Sequence, residues 1–267
     1  MEKKQRRVLT IAALILFSLF LCTASAQAKS LKNKWVHVGN QYKFYNKYEK
    51  AMWGIHTING QKYYFNNSRN QQTGWVKYKN DYYFFRQKRK AGGYMLKNTK
   101  IDGVSLGADG KAVISSTAVQ RKLNVMVKAA QIVNSLTNPD QKMCTKRKIM
   151  FEYTKTHYTV SAIPDLFTGV SDWDVAYAEW MLNRGYGDCY AFAGAFAYFV
   201  NAIGYANPVM AGSGGHAWVE QKGLYYDPNW ATEIGSAACY AVPRALSGVD
   251  GRPDWANNGR DKKNIDL

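Results

Sequence analysis

Short stretches of alternating aromatic and polar residues, each broken by a turn pair, recur about every 20 residues in the first half of the chain. The first runs Trp35-Val36-His37-Val38, turns at Gly39-Asn40 and continues Gln41-Tyr42-Lys43-Phe44-Tyr45. The second starts at Trp53, turns at Asn59-Gly60 and ends Gln61-Lys62-Tyr63-Tyr64-Phe65; the third starts at Trp75, turns at Asn80-Asp81 and ends Tyr82-Tyr83-Phe84-Phe85. A weaker fourth begins at Tyr94 and turns at Asp102-Gly103. Alternation around such pairs signals β-hairpins. One hairpin cannot bury its own face, so the segment must form an all-β array of stacked hairpins. Charge marks its limits. Residues 29–116 carry 17 Lys and Arg against four acids, +13 of the formal +17, whereas residues 117–267 carry 15 against 14. A boundary near residues 115–117 follows.

Thr73-Gly74-Trp75-Val76-Lys77 and Gln61-Lys62-Tyr63-Tyr64-Phe65 resemble the cell-wall-binding repeats, choline- and glucan-binding type, of secreted Gram-positive proteins. The resemblance covers roughly residues 33–112, but the first copy lacks the Gly-Trp opening and the fourth has Tyr for Trp. It implies ligand held between neighbouring hairpins by aromatics, for which Trp35, Trp53, Tyr64, Trp75 and Tyr83 are candidates. Choline suits an aromatic cage, but lysines crowd these aromatics. An anionic glycan such as a teichoic acid, or peptidoglycan, fits the charge better. The alternative is that the aromatics only pack hairpin on hairpin.

Lys3, Lys4, Arg6 and Arg7 precede an apolar run over residues 8–22, followed by Ala24-Ser25-Ala26 and Ala26-Gln27-Ala28. This is the layout of a secretory signal peptide, here residues 1–28. It places the mature protein outside the cell, with no membrane segment after cleavage, and argues against nucleic acid as the partner of the basic segment. Cys144, Cys189 and Cys239 remain, an odd count that leaves at least one thiol free or intermolecular; a Cys144–Cys239 disulfide is one arrangement.

From Thr117 the pattern becomes helical. Val119, Leu123, Met126, Val127, Ala130 and Val133 form one stripe. A second helix is expected over 140–156 and a third from Trp173 to before Gly185. Another begins at Cys189 and stops at Gly204. Strands follow at 208–210, 217–220 and 224–226, the last two joined by a turn at Gln221-Lys222-Gly223. The tail from Val242 reads as irregular.

A cysteine at a helix start is placed for chemistry, because the helix dipole and free amides favour thiolate; most free cysteines are instead small buried hydrophobes. With Gln221 and Lys222 as the loop, His216 lies opposite Asp227, and a three-residue loop shifts this by one. The carboxylate then fixes the imidazole tautomer and leaves the other nitrogen to act as base toward Cys189. Gly187-Asp188-Cys189-Tyr190, Gly215-His216-Ala217-Trp218-Val219-Glu220 and Tyr226-Asp227-Pro228 resemble the three blocks of the transglutaminase-like superfamily over roughly residues 145–235. The resemblance implies an α+β, papain-like domain over 117–267, preceded by the hairpin repeats. It makes Cys189 the nucleophile, His216 the general base and acid, and Asp227 the orienting carboxylate. The Cys189 N–H is a candidate oxyanion donor, with Tyr158 or Trp173 as a second.

A peptide or protein substrate is implied, attacked through a thioester that water or an amine resolves. The three residues do not separate peptidase from transglutaminase. The alternative is a catalytically silent wall adhesin or scaffold. No CxxC or HxxxH pair supports a metal site, and no phosphate loop or dinucleotide fingerprint is present, so no cofactor is expected.

Overall fold

A computed structural model describes residues 30–88, 92–166, 171–213, 215–258 and 261–265; the expected signal peptide lies outside the described residues. β1 (Lys34–Val38) and β2 (Gln41–Tyr45) close around Gly39-Asn40, and β3 (Gly54–Ile58) and β4 (Gln61–Phe65) around Asn59-Gly60. β5 (Gln71–Gln72) adds a third strand to the second hairpin. In the third hairpin, β6 (Gly74–Tyr78) and β7 (Asp81–Phe85) turn at Lys79-Asn80, one residue earlier than the sequence suggested. Lys79 takes the positive φ of 56°, and Asp81 joins the ladder opposite Tyr78. β8 (Thr99–Ile101) and β9 (Val104–Leu106) flank Asp102-Gly103.

The third hairpin is buried on both faces. Successive side chains on a strand point to opposite sides. Trp75, Tyr82 and Phe84 therefore face one way and enter the main core, while Val76, Tyr83 and Phe85, with Tyr78 of the same hairpin, face Ile55 and Tyr64 of the second hairpin. The surface that receives Trp75 belongs to α1 (Thr117–Leu136), capped by Ser116, whose hydroxyl accepts from the Val119 N–H. Polar contacts fix the junction. Tyr82 donates to Asn124 Oδ1 at 2.6 Å, and Asp102 accepts from the Trp75 indole at 2.6 Å and from Asn201 at 3.0 Å. The third and fourth hairpins thus share one hydrophobic core with the helices, while the first two hairpins pack on each other around Phe44, Ile58 and Phe65.

α2 (Met143–His157) starts three residues later than expected and buries Arg147, Met150, Phe151 and Thr154. β10 (Thr159–Val160) precedes α3 (Trp173–Arg184), which ends at Gly185; β11 (Tyr186–Gly187) pairs with β10 and leads into α4 (Cys189–Ile203), which stops at Gly204. α4 is apolar all round and sits in the middle of the molecule, with α1, α2 and α3 against it on one side and an antiparallel sheet on the other. The sheet contains β12 (Val209–Gly212), β13 (Ala217–Gln221) and β14 (Leu224–Tyr226). Two short helices, α5 (Ala231–Ile234) and α6 (Ser236–Cys239), lead to β15 (Tyr240–Pro243), and α7 (Trp255–Asn258) leads to β16 (Asp261–Asn264). The order is β15-β14-β13-β12-β16. The tail is therefore less irregular than its sequence suggested. Asp-Lys-Lys-Asn has little strand propensity, but the free edge of β12 pairs with it, and Ile265 is buried just beyond.

Candidate functional site

Cys189 is the first residue of α4, and Asp188 caps that helix by accepting from the Ala191 N–H at 3.0 Å. Burial raises the Asp188 carboxyl pKa above its ordinary value. The chain reaches this cap through Gly187, where a Cβ would collide with the Ala191 Cβ and lie 3.1 Å from the Met181 methyl. Only glycine lets β11 approach α4 so closely.

His216 comes just before β13 and Asp227 just after β14. The hairpin between them turns at Lys222-Gly223, with φ of 52° and 73°, not at Gln221-Lys222. Val219 faces Tyr226, so the register is offset by two residues from the one expected, and His216 and Asp227 are diagonal rather than directly opposed. Gly223 causes the offset, because it takes the second left-handed position of the two-residue turn at no steric cost. An offset of two keeps both side chains on one face. The imidazole and carboxylate bridge the diagonal, and His216 Nε2 lies 2.6 Å from Asp227 Oδ2. A carboxylate only accepts, so Nε2 carries the proton.

Asp227 is fully buried. Its Oδ1 accepts from the Trp230 backbone N–H at 2.8 Å, and Oδ2 also accepts from the Trp255 indole at 3.0 Å. Trp230 stands edge-on to the His216 ring, and Trp218 stacks on it. With Nε2 engaged, the other ring nitrogen is left for Cys189, which is a hydrogen-bonding partner of His216. Burial disfavours charge on this imidazole, but hydrogen bonds and charge interactions with Asp227 and Cys189 outweigh it and raise the pKa to about 10. The helix-start Cys, the His and the Asp are therefore brought together. Trp255 and Trp230 belong to the site too, although sequence reasoning read no chemistry from either.

All three cysteines among the described residues are free, so the Cys144–Cys239 arrangement is not formed. Cys144 is exposed. Cys239 is buried, and burial pushes its thiol up to about 12. Tyr158 does not line the cleft at Cys189. It is buried edge-on against Phe192 and Tyr153, and burial raises its hydroxyl pKa far above the ordinary value. Trp173 is also buried, against Tyr190. The cleft, about 450 Å³, is bordered by Cys189, Asp188, Asp165, Asp261, Tyr177 and Ile163, among others.

The aromatic candidates of the repeats divide by hairpin. Trp75 is 2% exposed and Tyr83 is buried, so neither presents a ring to a wall polymer, because the helices and the second hairpin cover both faces of their hairpin. Trp35 is partly buried against Phe44, Tyr63 and Phe65, and Tyr64 is half-buried against Tyr78 and Phe85. Trp53 is 48% exposed.

Fold and site together define an α+β chain: a hairpin array joined to a helix-on-sheet unit that carries a Cys-His-Asp cluster. No family model and no curated protein matches the chain. Solved structures similar to part of it include choline binding protein F from Streptococcus pneumoniae, in the presence of a peptidoglycan analogue. It is 24% identical over 31% of this chain and 27% of its own, with a TM-score of 0.28. The choline binding domain of Spr1274 in the same organism is 24% identical over 33% of this chain and 99% of its own, TM-score 0.28. The modular Cpl-1 endolysin, complexed with a peptidoglycan analogue, is 21% identical over 32% of this chain and 26% of its own, TM-score 0.23. The chain thus spans about a quarter of choline binding protein F and of the endolysin, and the likeness is too partial to define fold or activity.

Proposed function

We infer that this chain is a secreted cell-wall-binding protein of a Gram-positive bacterium with a thiol centre that acts on peptide or isopeptide amides. The observation that carries the thiol reading is the order Cys189–His216–Asp227, with His216 Nε2 2.6 Å from a fully buried carboxylate. An imidazolium beside a thiol at a helix start is the setting in which thiolate forms. The Cys189 sulfur attacks the acyl carbon, and the C–N bond breaks. The His216 proton passes to the leaving amine, and a thioester remains. Water or a second amine then attacks the thioester, gives its proton back to His216 and releases the sulfur. The Cys189 backbone N–H is the candidate oxyanion donor. Asp165 and Asp261 at the cleft suit a substrate that carries an amine near the scissile amide.

The test is mass spectrometry of wall peptides and proteins exposed to the protein, with and without a primary amine. An amine adduct means transfer, and a cleaved amide means hydrolysis. Turnover that survives Cys189→Ala rejects the thiol reading. Alkylation is mapped by peptide, because the exposed Cys144 also reacts.

A second reading is a wall-binding adhesin or scaffold in which the thiol is idle. Exposed aromatics on the basic segment favour it: Tyr48, with Lys47 Nζ 4.9 Å from its ring centroid, and Trp53. It predicts that Cys189→Ala leaves every phenotype intact.

A further inference from the structure

A cavity of about 480 Å³ lies where the second and third hairpins meet α1, and it shares no residue with the Cys189 cleft. In a chain of formal charge +17, none of its twelve lining residues is charged, and seven carry side-chain amides. Tyr64 adds aromatic surface, with the buried Trp75 packed behind the wall. Part of the amide wall is structural. Asn134 is used up by bonds to Thr73 and Ala130. The Gln41 amide nitrogen donates to the carbonyls of Asn134 at 2.7 Å and Thr137 at 3.3 Å. Those carbonyls fix its orientation, since the reverse would set oxygen against oxygen. The Gln41 Oε1 is thereby left buried with no hydrogen-bond partner among the described residues. The side chains of Asn67 and Gln131 are exposed at the rim and make no hydrogen bond among the described residues.

An amide offers a donor and an acceptor side by side, which matches adjacent hydroxyls. Aromatic rings match the apolar face of a sugar ring. The wall holds no cation for a phosphate or carboxylate and no anion for a quaternary ammonium. We propose that this junction cavity binds an uncharged saccharide, with Asn67 and Gln131 as its rim contacts. The proposal rests on the wall-binding part of the reading above and not on the thiol chemistry. It locates glycan recognition between a hairpin and a helix, apart from the lysine-rich surface.

The test is saturation-transfer NMR of the purified chain with uncharged tetrasaccharides (glucan, galactan and N-acetylhexosamine types), alongside retention on isolated cell walls. At least one neutral tetrasaccharide is expected to bind. Asn67→Ala with Gln131→Ala should weaken it by about tenfold, the loss of two or three ordinary hydrogen bonds, with an unchanged melting temperature. Gln131→Trp, which fills the mouth, should abolish binding. Retention on walls with no binding to any tetrasaccharide overturns the saccharide site and leaves wall attachment standing. Absence of both overturns both. Saccharide binding that ignores all three substitutions places the site elsewhere and also overturns the proposal.

Discussion

The Trp255 indole donates to Asp227 Oδ2 at 3.0 Å, the same oxygen that His216 Nε2 meets at 2.6 Å. The tail after the sheet thus reaches back to hold the carboxylate that holds the histidine. Trp255→Phe keeps the packing and removes this donor, leaving the Trp230 N–H and His216 on Asp227. Cys189 alkylation at neutral pH should slow by about fivefold to tenfold, with a stability loss of about 1–2 kcal/mol. Peptide-mapped labelling and thermal unfolding check this. A variant as reactive as the parent would show the indole to be packing alone.

His216 makes stability depend on pH. Its folded pKa of about 10 lies above the ordinary 6.5, so the folded state binds this proton more tightly than the unfolded chain does. That contribution is complete below about pH 6.5 and is lost as pH rises toward 10. Urea unfolding at pH 6 and pH 10 should show the loss in the parent. In His216→Gln the difference between the two pH values should shrink by about 2 kcal/mol or more. An equal difference in both proteins would mean that the fold does not hold the proton.

Gly187→Ala tests the approach to the thiol. The added methyl meets the Ala191 Cβ, in the first turn of α4. Relief requires β11 or the start of α4 to shift, at a cost of about 1–3 kcal/mol. Alkylation of Cys189 should slow while that of the exposed Cys144 stays constant, so the ratio of the two labelled peptides reports the displacement. A constant ratio rejects it.

Much of this was legible in the sequence for physical reasons. Turn pairs of glycine, asparagine and aspartate located the hairpins, because few other residues take left-handed dihedrals cheaply. The α1 stripe and the glycine stop of α4 located those helices. The Cys-His-Asp cluster was legible because its members are chemically rare and flank short elements. What escaped was tertiary. The Lys222-Gly223 turn shifted a register that residue types alone left open. β16 exists because an edge of β12 awaits it, and Trp255 reaches Asp227 from 28 residues away. The change of charge near Thr117 marks where α1 begins. It did not reveal that Trp75, Tyr82 and Phe84 enter the same core as the helices.

That shared core separates two tryptophans that look alike in sequence. Trp75→Ala should cost about 3–5 kcal/mol, since it opens a cavity and leaves Asp102 without its indole donor. Trp53→Ala, on the surface, should change stability by less than about 0.5 kcal/mol. If exposed aromatics hold the wall, Trp53→Ala should lower retention without moving the melting temperature. Equal melting losses in the two variants would contradict the burial difference. For the same reason, deletion of residues 29–116 should unfold the chain rather than merely release it from the wall.

The last prediction concerns substrate charge. Asp188 is committed to the α4 cap, whereas Asp261 opens β16, faces Gly212 across the sheet edge and borders the cleft at Cys189. If the thiol acts on amides as proposed, a carboxylate so placed favours an amine on the substrate and contributes little to the chemical step. Asp261→Asn should raise KM by about twofold to fivefold for a peptide with lysine beside the scissile amide, the range of a partly exposed ion pair. It should leave kcat unchanged and spare the norleucine counterpart. Raising the salt concentration should shrink the lysine preference in the parent and not in the variant, because screening acts only on the charge pair. A lysine-to-norleucine ratio of kcat/KM that is the same in both proteins would remove Asp261 from substrate selection.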